Sequence, residues 1–294
     1  MSGIGALLGT ELRRFFARRV MRGALAFGIA LSTLVLVIII VRSAEVTATQ
    51  HGKNVVCTPT NDSVNGSQNC VVQPLTTTVE RDRRVRIHDN YSDTVKGTGI
   101  AAIFIAFVIG ASFVGAEFGA GSLSTQLIFE PRRMRVVVVK AIAVGIGLAV
   151  FTVALLLYIG ILQWAGSELR GVVNDLDASW FAARAADVGR VALAVALAGI
   201  TAYAITVVAR RTVAAVATLL IVGWASAIIG NFKAWRWAAR YNPATAFIEL
   251  VADESRRSGS DVLLTVRAAA VWSCLWAVAL TLVAAVIFSR REVR

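Results

Sequence analysis

Residues 141–162 read AIAVGIGLAVFTVALLLYIGIL, 22 positions without an Asp, Glu, Lys, Arg or His. A bilayer's hydrocarbon core is about 30 Å thick, and a helix needs about 20 residues to cross it. No water is present there to satisfy backbone N–H and C=O groups, so only a helix or a closed barrel can span it. Five more runs lack those five residue types: 23–41, 99–116, 191–209, 213–230 and 268–289, each 18 to 22 residues long. None alternates as a strand does, which excludes a barrel. The expected fold is all-α and integral to a membrane, a single transmembrane domain over 1–294 with six transmembrane helices. The first run, at 19 residues and with no small-residue cleavage site after it, is too long for the core of a cleaved signal peptide.

Composition agrees. The chain is 57% hydrophobic and only 16% charged, with mean hydropathy +0.69, against about 25% charge in a soluble domain. Four prolines in 294 residues exclude a Pro-rich disordered chain. The net charge of +12 does not point to nucleic acid, because the charges sit between apolar runs. It reads instead as membrane topology.

With the N-terminus in the cytoplasm, the inside segments are 1–22, 117–140, 210–212 and 290–294, with 14 basic and 4 acidic residues in about 54 positions. The outside segments 42–98, 163–190 and 231–267 hold 16 basic and 14 acidic residues in about 122. Basic density therefore predicts both termini inside, and Arg13, Arg14, Arg18, Arg19 and Arg22 give the strongest vote. Trp164, Trp180, Trp235, Trp237 and Trp272 all fall near the expected outer interface, where an amphipathic ring is favoured.

Between the spans, 4–20 carries Ile4, Leu8, Leu12, Phe15 and Phe16 at helical spacing, with Glu11, Arg14 and Arg18 on another side. This pattern predicts an amphipathic helix in the inner interface; the alternative is a plain topogenic basic patch. The first outside loop, 42–98, is too long for a connector and is expected to fold. It contains Cys57 and Cys70, two of three cysteines, on the oxidising side with Pro59, Asn61, Asp62, Asn65 and Gly66 between them. A disulfide is expected, worth about 3 kcal/mol; the alternatives are two free thiols or a pair bound to something else. Cys274 reads as a packing residue in the last span. The mixed charges of 80–86 read as a solvated helix or strand face. In the loop 231–267, Asn242-Pro243 signals a turn or helix start, and Phe247, Ile248 and Val251 suggest one or two short interfacial helices.

Several chemistries have no residues to carry them. No G-x-x-x-x-G-K-[ST] motif is present for ATP, and the four lysines, Lys53, Lys96, Lys140 and Lys233, are not in Gly-rich phosphate loops. No Cys/His cluster has metal spacing, and His51 and His88 both lie in the first outside loop. All six runs lack the mid-membrane charges that proton- or ion-coupled transport uses. The chain is therefore expected to bind no cofactor or metal, to be no enzyme by itself, and to be passive or driven by a partner.

The stretch 110–140 carries the functional reading. Its start, Gly110 to Ala116, is rich in small residues and suits close helix packing. Glu117 caps the cytoplasmic end, and Gly119 and Gly121 allow a sharp turn. Ser122 to Phe129 can make two helical turns with Leu123 and Leu127 on one side, and Pro131 stops them. Arg132, Arg133 and Arg135 then hold the next span's start inside. An unpaired carboxylate facing protein is costly, so Glu117 is expected to pair with a basic residue of the N-terminal helix, Arg13 or Arg14 being the candidates singled out, or with Lys140; the alternative is a water-exposed carboxylate. For the whole segment 117–135 the alternative is an ordinary basic loop with a glycine turn.

This stretch resembles the membrane (permease) subunits of type-2 ABC exporters, and looks closest to actinobacterial members. Gly115-Ala116-Glu117-Phe118, Gly121-Ser122-Leu123 and Glu130-Pro131-Arg132-Arg133 match that family's span-two end, its glycine before a short coupling helix, and its Pro-Arg start of span three. The N-terminal interfacial helix, six spans, inside termini and Asn242-Pro243 before the last span are also family-like, whereas the 42–98 loop is longer than the family's usual connector. The resemblance implies a permease in a bacterial cell membrane and a second permease copy, identical or not. It also implies an ATP-binding cassette subunit that holds ATP and Mg and docks on the coupling helix. The docking residues would be Leu123, Leu127 and Phe129 as anchors, with Gln126, Glu130, Arg132 and Arg133 fixing register through charge. A pathway of Val, Ala, Leu and Gly would suit an amphipathic drug, lipid or peptide. Two other readings stay open: a non-transport scaffold whose outside loop binds an extracytoplasmic partner, and a membrane enzyme using an outside carboxylate.

Overall fold

The computed structural model describes residues 4–42, 45–59, 68–82, 85–122, 126, 128, 132–172, 176–230, 236–252 and 264–290. In chain order these form α1 (Ile4–Ala17), α2 (Arg19–Arg42), a hairpin of β1 (Glu45–Pro59) and β2 (Gln68–Asp82), and a two-residue strand β3 (Val85–Arg86). Then come α3 (Ile87–Gly119), α4 (Arg133–Arg170), a second short strand β4 (Gly171–Val172), α5 (Ala178–Ala209), α6 (Thr212–Gly230), α7 (Arg236–Tyr241), α8 (Pro243–Val251) and α9 (Val266–Arg290).

Five of the helices, α2, α3, α4, α5 and α9, are long and apolar enough to cross a membrane. The chain is thus a helical protein of multi-pass membrane type. The run 213–230 is also a helix, the 19-residue α6. The helices outrun the apolar stretches that announced them. α3 starts 12 residues before Gly99, and α4 spans 38 residues, about 57 Å at 1.5 Å per residue, against about 30 Å of hydrocarbon. Apolarity reports the thickness of the membrane, whereas backbone hydrogen bonding continues through polar residues such as Asp93 and Lys96 beyond it.

The all-α expectation needs one correction. Between α2 and α3 the backbone forms an antiparallel hairpin with Glu45 opposite Asp82 and Cys57 opposite Cys70. Neither strand alternates cleanly, and only the mixed charges of 80–86 pointed to a strand face as one of two options. What these segments share is a wealth of Val and Thr, whose branched Cβ atoms favour the pleated conformation. The side chains of Cys57 and Cys70 lie outside the described residues. The short strands β3 and β4 pair in parallel and join the start of α3 to the end of α4.

α5 is the centre of the bundle, with 78% of its apolar stretch buried, against 6% for α2 at the periphery. It packs most extensively on α3. A Cβ at Gly110 would run into the carbonyl of Gly199, and one at Gly199 would run into Leu148. Only glycine lets these two backbones approach so closely. Asp177 caps α5, accepting from the Trp180 amide at 2.7 Å. At its other end Arg210 adopts φ +56° and its amide returns to the Thr206 carbonyl, so the chain turns directly into α6. Asn242 caps α8 by accepting from the Ala244 amide at 2.9 Å, with Pro243 in the first turn.

Candidate functional site

α1 puts Glu11 and Phe15, one turn apart, onto the bundle, and both are buried. Arg18 follows at the bend between α1 and α2. The last turn of α3 brings Glu117 to the same end of the molecule, and the second turn of α4 brings Lys140. The Lys140 ammonium lies 2.9 Å from Glu11 Oε2 and 2.9 Å from Glu117 Oε2. Arg18 reaches Glu117 Oε1 at 3.0 Å and donates to the Ser112 carbonyl at 3.1 Å. Arg14 approaches Glu11 Oε1 at 3.3 Å from an exposed position, and the Gln126 amide donates to the same oxygen at 2.7 Å.

Two carboxylates thus meet two inward cations, Lys140 and Arg18. Lys140 and Glu11 are each 1% exposed at the side chain, a burial that charged groups tolerate only when paired. The ring of Phe113 underlies both cations: the Arg18 guanidinium carbon is 4.2 Å from its centroid and the Lys140 nitrogen 5.5 Å. At these distances the ring's electron-rich face attracts them. Phe15 stacks obliquely on Phe113 with centroids 5.5 Å apart. Burial pushes the Arg18 guanidinium below its usual value, while the carboxylates of Glu117 and Glu11 pull it back up.

Every charge in this cluster is engaged, so it offers no free acid, base or nucleophile. What it can do is mechanical. It fastens α1, the α1–α2 bend, α3 and α4 to one another, and Gln126 fastens the chain between α3 and α4 to α1. Displacing any one element breaks a charge pair held by another.

Of the residues singled out in the sequence, Glu117 and Lys140 meet here. Arg14 belongs to the cluster through Glu11, not through Glu117. Arg13 is exposed, because α1 turns its Glu11–Phe15 edge inward, and Arg18 is the basic residue of the N-terminal segment that meets Glu117. Of the apolar residues of α1, Ile4 is 61% and Phe16 41% exposed, while Phe15 is buried against the bundle. Within 121–133, Gly121 has φ +66°, the left-handed turn its position called for. Gln126 is turned inward onto Glu11, Arg132 is exposed, and Arg133 opens α4. Leu123, Leu127, Phe129 and Glu130 lie outside the described residues, as does Trp235. Glu11 was not foreseen as a partner, although Glu11, Phe15 and Arg18 stand at i, i+4 and i+7 and so share one helix face. Among the described residues no His, Cys, Asp and Glu group could hold a metal ion.

No protein-family model matches the chain, and neither does any curated protein sequence.

Proposed function

We propose that the chain is the permease subunit of a type-2 ABC exporter. It has six spans and cytoplasmic termini, sits in a bacterial cell membrane beside a second permease copy, and is driven by a separate ATPase that binds ATP and Mg. The observation that carries this reading is the Gln126–Glu11 hydrogen bond at 2.7 Å. It joins the chain between α3 and α4, where the family resemblance lies, to a buried charge cluster reaching three helices. A push on residues 121–133 would pass through Glu11 and Lys140 to α1, α3 and α4 together, which is what a partner-driven permease requires.

A cavity of about 540 Å³ between α3, α5, α6, α8 and α9 supports an apolar or amphipathic cargo. Phe104, Phe107, Phe247 and Trp276 help to line it. Its Thr201 and Thr218 hydroxyls donate to their own helices, to Leu197 and Ala214. The Trp276 indole donates to the Tyr241 carbonyl, so these groups leave a carbon-lined wall. In the β1–β2 hairpin, Cys57 and Cys70 form a disulfide on the oxidising side. Their register supports this: opposed antiparallel residues have Cα atoms about 4.5–5.5 Å apart, within the span a disulfide bridges. Recovery of both as free thiols in non-reducing peptide mapping would remove it.

The test of the main reading is Leu127→Asp. The variant is expected to insert normally, to lose the co-purifying ATPase and to lose coupled transport. If it keeps the ATPase at full stoichiometry and transports at the native rate, 121–133 is not the docking element and the permease reading fails with it.

A further inference from the structure

At the opposite end of the bundle from the ion cluster, the first turns of α5 lie across α4. Leu157, Ile161 and Trp164 of α4 and Trp180, Phe181 and Arg184 of α5 line a groove of about 630 Å³ there, a volume that suits a ligand of small-molecule size. Tyr91, one turn into α3, closes its inner wall, with its ring 6.0 Å from that of Trp180. Trp180 in turn meets Phe181 edge-on at 5.1 Å. Leu157, Ile161, Trp164 and Phe181 are between 51% and 63% exposed. The helices bearing them are of membrane-spanning type, so these walls open sideways to hydrocarbon.

Among the described residues, the charge at the groove is unbalanced. Arg184 and Arg190 share one carboxylate: Arg184 Nη1 lies 2.9 Å from Asp187 Oδ2, and Arg190 contacts Asp187 Oδ1. Two guanidiniums against one carboxylate leave one positive charge over. Asp177, the acid before them on the chain, serves the α5 cap and accepts from Ser179 as well. The Arg184 Nε is buried without a hydrogen-bond partner, so the guanidinium's donor capacity is not met within the protein, and its exposed part favours an anionic oxygen. Aromatic rings around it mark the depth at which lipid headgroups begin.

We infer that this groove holds one anionic phospholipid of the leaflet opposite the ion cluster, with its acyl chain along Leu157 and Ile161 and its phosphate on Arg184. The inference stands apart from the permease reading and needs no ATPase. It is tested by native mass spectrometry of the full chain in detergent, titrated with phosphatidylglycerol, with phosphatidylcholine of the same acyl chains, and with inorganic phosphate. The chain should retain phosphatidylglycerol about fivefold better than phosphatidylcholine, the preference one surface cation supplies. Arg184→Gln should erase that preference while phosphatidylcholine binding stays. Ile161→Trp, which fills the trough from an exposed position, should weaken both lipids alike. Equal retention of the two lipids by the native chain, or a preference that survives in Arg184→Gln, overturns the inference. Displacement of lipid by inorganic phosphate also overturns it, by making this a soluble-anion site.

Discussion

Two carboxylates sit at opposite ends of the helical bundle, each between two cations, and they are built differently. Glu117 is met by Lys140 from α4 and Arg18 from the α1–α2 bend, residues 23 and 99 positions away along the chain. Asp187 is met by Arg184 and Arg190, each three residues away on the same helix. The first cluster exists only when three separate helices have docked. The second forms as soon as α5 does. The same chemistry is a clamp between elements in one place and local helix decoration in the other.

The sharpest way to break this comparison is Lys140→Met. It leaves Glu11 and Glu117 buried without their shared cation, and the expected loss is about 3–5 kcal/mol, read as a large fall in the thermal unfolding midpoint. Adding Glu11→Gln should restore part of that loss, so the double variant costs less than the two singles summed. Simple additivity would show that the cluster is not coupled. Asp187→Asn should cost only about 1 kcal/mol, because Arg184 and Arg190 keep 21% and 27% of their side-chain surface in contact with the surroundings, the Asn amide oxygen can still accept from them, and the helix forms without the charge. A loss equal to that of Lys140→Met would erase the distinction between the two ends. Gln126→Ala should cost about 0.5–1 kcal/mol, since Arg14 still meets Glu11 Oε1. Its transport defect should exceed its stability defect, and parallel losses in transport and unfolding assays would leave Gln126 a purely structural role. Arg13→Ala should shift stability by under about 0.5 kcal/mol; a larger change in the same assay would place Arg13 in the cluster after all.

The N-terminal helix shows where reading by residue type stops. Apolar spacing set Ile4, Leu8, Leu12, Phe15 and Phe16 on one side of α1, for the inner interface, and Glu11 on another. The buried residues are Glu11 and Phe15. A membrane surrounds the bundle with a second apolar medium, so apolar residues need not face protein, and the protein-facing edge is free to carry charge once a partner is supplied. Lys140 is that partner, 129 residues on, and nothing near Glu11 in the chain announces it. Glu117 and Lys140 were legible because each ends a long uncharged run and stands out against it. The hairpin was not legible as strands, since Glu45–Pro59 and Gln68–Asp82 do not alternate apolar and polar residues.

What the sequence determined by itself is the membrane character and the helices that carry it, because the absence of charge over about 20 residues leaves the backbone no other way to satisfy its hydrogen bonds in hydrocarbon. It also determined two local stops, Asn242-Pro243 opening α8 and a sharp turn at Gly121 after α3, each set by hydrogen bonds or torsions within a few residues. The tertiary structure decided which charges meet. Ion pairing between distant elements depends on the angle and depth at which whole helices dock. Those are fixed by close backbone approaches such as Gly110 on Gly199, and no local pattern of residues encodes them.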